Sequence, residues 1–169
     1  MQKQTTKKLA RLGLISAIYV ILCLIAFPVA SGAIQIRIGE CLTLLPLFIP
    51  ESYISLFIGC ILINVITGCA IFDIILGSLI TLVAGVLTAF AGKIIKNTFL
   101  KVLVGGVFPV LLNALILPIV WFFAYGKVQY VYILQVLFLL LGQAIAVYGI
   151  GSLLVVSITK LPSDNKFFK

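Results

Sequence analysis

The segment Gln35-Ile36-Arg37-Ile38-Gly39-Glu40-Cys41-Leu42-Thr43-Leu44-Leu45-Pro46-Leu47-Phe48-Ile49-Pro50 decides the fold of this chain. Its apolar part, Glu40 to Ile49, is short: ten α-helical residues rise roughly 15 Å, about half of a hydrocarbon core. Taken as a span of its own it gives six crossings. Merged with the next apolar run through Pro50-Glu51-Ser52 it gives five. The segment also places a guanidinium, Arg37, three residues before a carboxylate, Glu40, in a chain of 169 residues with four acidic ones and 63% hydrophobic ones. Ionisable groups at membrane depth are costly and usually face a cavity or a partner.

Working outward, the apolar segments are Leu9 to Ala30, Glu40 to Ile49, Tyr53 to Cys69, Ile74 to Ala91, Val102 to Ala124 and Tyr132 to Ile158. Charge chooses between the two counts. With a cytoplasmic N-terminus, six spans put Lys3, Lys7, Lys8, Arg11, Lys93, Lys96, Lys101, Lys160, Lys166 and Lys169 on one side, and only Arg37 and Lys127 on the other. That arrangement obeys the positive-inside rule. Five spans separate the Lys93/Lys96/Lys101 cluster from the C-terminal lysines. The sequence therefore predicts an all-α membrane protein: six transmembrane helices forming one domain over residues 1–169, both termini cytoplasmic, in a prokaryotic plasma membrane. The run before Val29-Ala30-Ser31-Gly32-Ala33 resembles a signal peptide, but it is long enough to span and reads as a retained first helix.

The second helix must then be short, tilted, or lengthened by the residues before it. There Ile34, Ile36 and Ile38 alternate with Gln35 and Arg37, the period of an extended segment that could act as a lid. Pro46 weakens the helix itself. Small residues recur at four-residue spacing: Gly77, Thr81, Gly85 and Ala89 on helix four, Gly142 and Ala146 on helix six, and Gly13 and Ala17 on helix one. Such stripes let helices approach closely in lipid. On helices four and six they read as internal packing, whereas Gly13 and Ala17, near the cytoplasmic end, are open to a membrane partner.

Several function classes are excluded. The net charge of +8 sits at the ends of apolar segments without interleaved base-stacking aromatics, which argues against nucleic acid. Cys23, Cys41, Cys60 and Cys69 occur singly and His is absent, so neither a metal site nor a thiol–imidazole nucleophile can be built. The cysteines read as small packing residues. Enzyme motifs and a phosphate-binding loop are missing, so no cofactor is expected and energy for any uptake must come from elsewhere.

The remaining polar side chains gather in one half of the predicted bundle. Arg37 and Glu40 lie at the outer leaflet, Asp73 opens helix four on that side, and Asn64 sits near the outer end of helix three. Asn113 and Gln143 are central on helices five and six. Singly, each has a plainer reading: an Arg37–Glu40 ion pair, a helix cap at Asp73, interhelical hydrogen bonds for the amides. Together they point to a cavity that opens outward. Pro109 and Pro118 flank Asn113 and free carbonyls that could also face a ligand. Trp121, Tyr125, Tyr130 and Tyr132 fit an interfacial aromatic belt.

The stretch from Gln35 to Pro46, Leu56-Phe57-Ile58-Gly59-Cys60-Ile61-Leu62-Ile63-Asn64-Val65-Ile66-Thr67-Gly68, Asp73-Ile74-Ile75-Leu76-Gly77-Ser78-Leu79-Ile80-Thr81-Leu82, Asn113-Ala114-Leu115-Ile116 and Gly142-Gln143-Ala144-Ile145 resemble, in order and spacing, the QueT family of energy-coupling factor (ECF) substrate-binding S components. The resemblance implies an ECF S-component-like bundle that captures a queuosine precursor, a 7-deazaguanine base, from outside. Release inside would need a membrane T subunit and two cytoplasmic ATPases, with Gly13 and Ala17 meeting the T subunit. Arg37, Glu40, Asn64, Asp73, Asn113 and Gln143 would hold the ligand. A carboxylate can accept the two adjacent N–H donors of a guanine-type edge. One departure is Gln143, where the family pattern has Glu, and it points to a neutral base or another small molecule. The alternatives are an S component for another vitamin-like heterocycle and a membrane enzyme or assembly factor.

Overall fold

The computed structural model describes residues 2–30, 35–126 and 130–160. Among them regular structure is entirely helical, in six helices. They are α1 (Gln2–Ala30), α2 (Ile38–Leu47), α3 (Ser52–Ile66), α4 (Asp73–Ile94), α5 (Thr98–Tyr125) and α6 (Tyr132–Thr159). Helices α1, α4, α5 and α6 are long and apolar enough to cross a membrane, while α2 and α3 are shorter apolar helices. Ile34, Lys127, Asp164, Lys166, Lys169 and the Ser31-Gly32-Ala33 segment lie outside the described residues.

The short second helix is a 3₁₀ helix of ten residues. Its rise of about 2.0 Å per residue stretches it to roughly 20 Å, farther than the α-helical estimate allows. Runs of 3₁₀ beyond three or four residues are uncommon because their hydrogen bonds are poorer, so packing must hold this one. Every residue from Gly39 to Leu47 is buried. The other five helices surround α2 and all touch it, each packing beside its neighbour in the order α1, α3, α4, α5, α6. Leu42 and Leu45 join Ile15, Tyr19 and Leu56 in one core cluster; Leu44 and Leu47 join Ala91, Val110, Val147 and Val155 in another. At Gly92 of α4, a Cβ would lie 2.6 Å from the Leu47 carbonyl oxygen, so only glycine lets α4 seat against the α2 backbone there.

The ends of the bundle differ chemically. Lys8 Nζ donates to Glu51 Oε1 at 2.6 Å, Arg11 lies 3.7 Å from the other oxygen, and the Lys101 ammonium is 5.9 Å from the Phe48 ring centroid. The N-terminal basic cluster and the α2–α3 turn therefore share one end, as a separate second helix requires. The hydrogen bond from Lys8 holds the Glu51 carboxyl below its ordinary value of 4.5. A carboxylate so depressed contributes stability above its unfolded pKa and loses it as the pH falls through the folded one. Because the side chains are 48% and 39% exposed, Glu51→Gln is expected to cost no more than about 1 kcal/mol at neutral pH. Melting curves of both proteins at pH 7 and in acid should show that difference shrinking as the pH drops below the carboxylate range.

Two helices contain π-helical turns, Asp73–Gly77 at the start of α4 and Ile145–Ile150 within α6. Such turns are rare and often occur at functional sites. One includes Asp73, and the other begins two residues after Gln143. In α5, Pro109 cannot bond the Gly105 carbonyl; Thr88 Oγ1 of α4 donates to it instead, at 3.0 Å. That freed carbonyl serves helix packing.

Candidate functional site

Glu40 is the hub. It stands in the first turn of α2 and is 1% exposed. Tyr19 Oη of α1 donates to Oε1 at 2.8 Å, and Asn113 Nδ2 of α5 donates to Oε2 at 3.3 Å. Thr43 Oγ1 donates to the Glu40 carbonyl at 2.6 Å. An ionised carboxylate has about four acceptor positions. With two filled, this one keeps capacity for further donors.

Beside the hub lies a cavity of about 100 Å³, several times the ~10–15 Å³ that one water needs. Its walls come from α1 (Tyr19, Cys23, Phe27), from α3 and the turn after it (Cys60, Ile63, Asn64, Thr67, Cys69), and from Arg37. Arg37 precedes α2 in extended conformation (φ −87°, ψ 91°). The non-helical residues 35–37 cross α6 at Gly142, where a Cβ would come within 2.5 Å of the Gln35 carbonyl oxygen. The Arg37–Glu40 ion pair, the plainer reading of these two residues, does not form among the described residues. The guanidinium instead lies 5.8 Å from the centroid of the Trp121 ring, a cation–π distance.

Asn64 and Asp73 meet across the α3–α4 junction. Asn64 Nδ2 lies 3.5 Å from the Asp73 carbonyl oxygen, and a Cβ at Gly77 would stand 3.1 Å from Asp73 Oδ1 and 3.7 Å from Asn64 Nδ2. Asp73 Oδ2 accepts from Tyr125 Oη at 3.4 Å, and that oxygen in turn accepts from the Ala70 amide at 3.2 Å. Gln143 is fully buried, and neither its side-chain oxygen nor its nitrogen has a hydrogen-bond partner among the described residues. Leaving such a group unpaired costs about 1–3 kcal/mol, so it is a natural place for a ligand or water contact.

Of the six candidate ligand residues, Arg37 and Asn64 line the cavity, Asn113 bonds Glu40, and Glu40 reaches the wall through Tyr19. Asp73 sits behind Asn64. Gln143 makes no contact with the other five through a hydrogen bond. Gly13 and Ala17 are exposed, and nothing lies within 4 Å of a Cβ built on Gly13. The sequence reading missed Tyr19, Trp121 and Tyr125. Trp121 and Tyr125 are four residues apart on one face of α5, and their aromatic-belt reading hid that they hold Arg37 and Asp73. A hydroxyl inside the apolar run of α1 was the available signal for Tyr19, since buried tyrosines usually find a partner. Three of the four cysteines, read as packing residues, line the cavity.

A model of the QueT transporter family matches residues 9–160. The chain belongs to the QueT transporter family. It is accordingly a transporter rather than an enzyme, and with its four long apolar helices a multi-pass membrane protein. Searches of curated proteins and of solved structures returned no match.

Proposed function

We propose that this QueT protein is the substrate-binding S component of an ECF-type ABC importer, capturing a 7-deazaguanine queuosine precursor outside the cell. Delivery inside requires a T subunit and two cytoplasmic ATPases. The observation that carries the reading is a buried carboxylate with unused acceptor capacity beside a cavity bearing a guanidinium and an amide. Glu40 takes the two N–H donors on one edge of the base, with Arg37, Asn64, Asp73, Asn113 and Gln143 completing the shell. The end holding Lys8, Arg11 and Lys101 faces the cytoplasm and the Arg37/Asp73 end faces outward, in accordance with the positive-inside rule. Helix α2, lengthened by its 3₁₀ rise, and α3 complete six spans in one binding unit. Mass spectrometry of the small molecule that travels with the purified protein tests this: a deazaguanine base supports it, and a different heterocycle redirects it to another vitamin-like ligand.

Docking of the T subunit falls to the exposed Gly13/Ala17 face of α1, opposite the cavity wall that Tyr19 and Cys23 form. Ala17→Trp is expected to leave ligand binding unchanged and to abolish uptake in vesicles reconstituted with the T subunit and ATPases. Normal uptake by that variant removes α1 as the docking helix.

A further inference from the structure

We infer that Tyr19 is a positioning residue: wedged between two glycines, its hydroxyl aims the Glu40 carboxylate at the paired N–H donors of the ligand. This role rests on the deazaguanine reading above and adds to it how a residue of α1, outside the ligand shell, sets recognition by α2.

Glu40 needs such a guide, because a glutamate side chain is long and rotamer-rich. Two donors reach its carboxylate, and they are unequal. Asn113 Nδ2 stands at 3.3 Å, beyond the usual N–H···O range, and its amide can flip to trade donor for acceptor. Tyr19 Oη stands at 2.8 Å, the optimum for O–H···O, and a hydrogen bond to a charged group is about twice as strong as a neutral one. The phenol oxygen lies on the axis of a rigid ring, so whatever fixes the ring fixes the donor.

The ring is fixed by backbone. Tyr19 is 2% exposed. A Cβ at Gly59 of α3 would lie 2.8 Å from Tyr19 Cδ1 and 3.3 Å from the Ser16 carbonyl oxygen. A Cβ at Gly39 of α2 would lie 3.4 Å from Tyr19 Cε2 and 3.2 Å from the Tyr19 carbonyl oxygen. Cδ1 and Cε2 belong to opposite edges of the ring, so glycines of two helices form a slot around it. The ring cannot swing unless a helix backbone moves. Tyr19 also lines the cavity, so it stands where an entering ligand edge meets the carboxylate. With Oε1 pinned, both oxygens keep one orientation, and two parallel donors find both acceptors at once. A carboxylate free to turn would accept either donor without holding both. The signature is therefore discrimination between ligands as well as affinity.

The test is calorimetric titration of the purified protein with 7-deazaguanine, whose ring N–H and exocyclic amine lie side by side, and with 7-deazahypoxanthine, which lacks the amine. The wild-type protein is expected to prefer 7-deazaguanine by at least about tenfold. Tyr19→Phe keeps the ring and removes only its oxygen, and is expected to bring the two affinities within about threefold. Gly59→Ala leaves every donor in place but crowds the ring; it is expected to do the same, and the double variant to add nothing further. Lost packing alone would weaken both bases equally and leave the ratio intact. If folded Tyr19→Phe or folded Gly59→Ala keeps the wild-type ratio, the positioning role falls while the deazaguanine reading stands. Equal binding of both bases by the wild-type protein removes Glu40 as the reader of the paired donors, and Tyr19 with it. Binding of neither base overturns the deazaguanine reading as well. Either variant decides if the other does not fold.

Discussion

Glu40→Gln is expected to weaken binding of the base by about tenfold to about 150-fold, the equivalent of the ~1.5–3 kcal/mol carried by a hydrogen bond to a charged group. The fold should survive the change. Gln is isosteric with Glu, and its oxygen can keep one of the two present bonds. The other is recovered by rotation of the Tyr19 hydroxyl or by a flip of the Asn113 amide, both of which can donate or accept. What cannot be recovered is a second acceptor oxygen with negative charge for the paired N–H groups of the ligand. A shift in melting temperature of no more than about 2–4 °C, together with the loss in affinity by calorimetry, is the expected result. Unchanged affinity would mean that Glu40 is a structural knot tying α1, α2 and α5 together, and the ligand must then be anchored elsewhere. Asp73→Asn is the companion measurement, with a smaller loss expected because Asp73 sits behind Asn64 rather than on the cavity wall.

Much of this architecture is legible in the sequence because lipid imposes simple rules. Length, apolarity and the distribution of lysines place all six helices, and the predicted bounds of the last helix, Tyr132 to Ile158, differ from the observed Tyr132–Thr159 by one residue. The nature of α2 is not legible. Nothing in Ile38–Leu47 distinguishes a 3₁₀ helix from an α-helix, since its geometry follows from five surrounding helices that press on it. The same holds for the two π turns. Composition marked Glu40 as a buried ionisable group, but its donors come from positions 21 residues before it and 73 after it. Pairings at that separation are set by the packed bundle. Arg37 shows the limit most clearly: proximity in sequence favours an ion pair with Glu40, yet the extended backbone carries its guanidinium to Trp121.

The second large effect is expected at a residue that carries no chemistry. Gly142→Val should abolish measurable ligand binding, although no side-chain atom of the site is removed. Even the first carbon added at this position would sit 2.5 Å from the Gln35 carbonyl oxygen and 2.9 Å from the Gln35 carbonyl carbon. These are backbone atoms, so a rotamer change offers no relief, and residues 35–36 must lift away from α6. Arg37 follows immediately and Glu40 opens the buried α2 three residues later, so the displacement passes directly into both charged groups. Overpacking of this kind typically costs about 1–3 kcal/mol of stability, and a shift of about 1 Å in a binding group can cost as much again in function. Gly13→Val is the control, because nothing lies within 4 Å of a Cβ there. The pair separates crowding from the general penalty of a branched residue in a helix. If Gly142→Val binds the base with the affinity of the parent, the 35–37 segment yields without moving Arg37 or Glu40, and α6 does not position the ligand-binding end of α2.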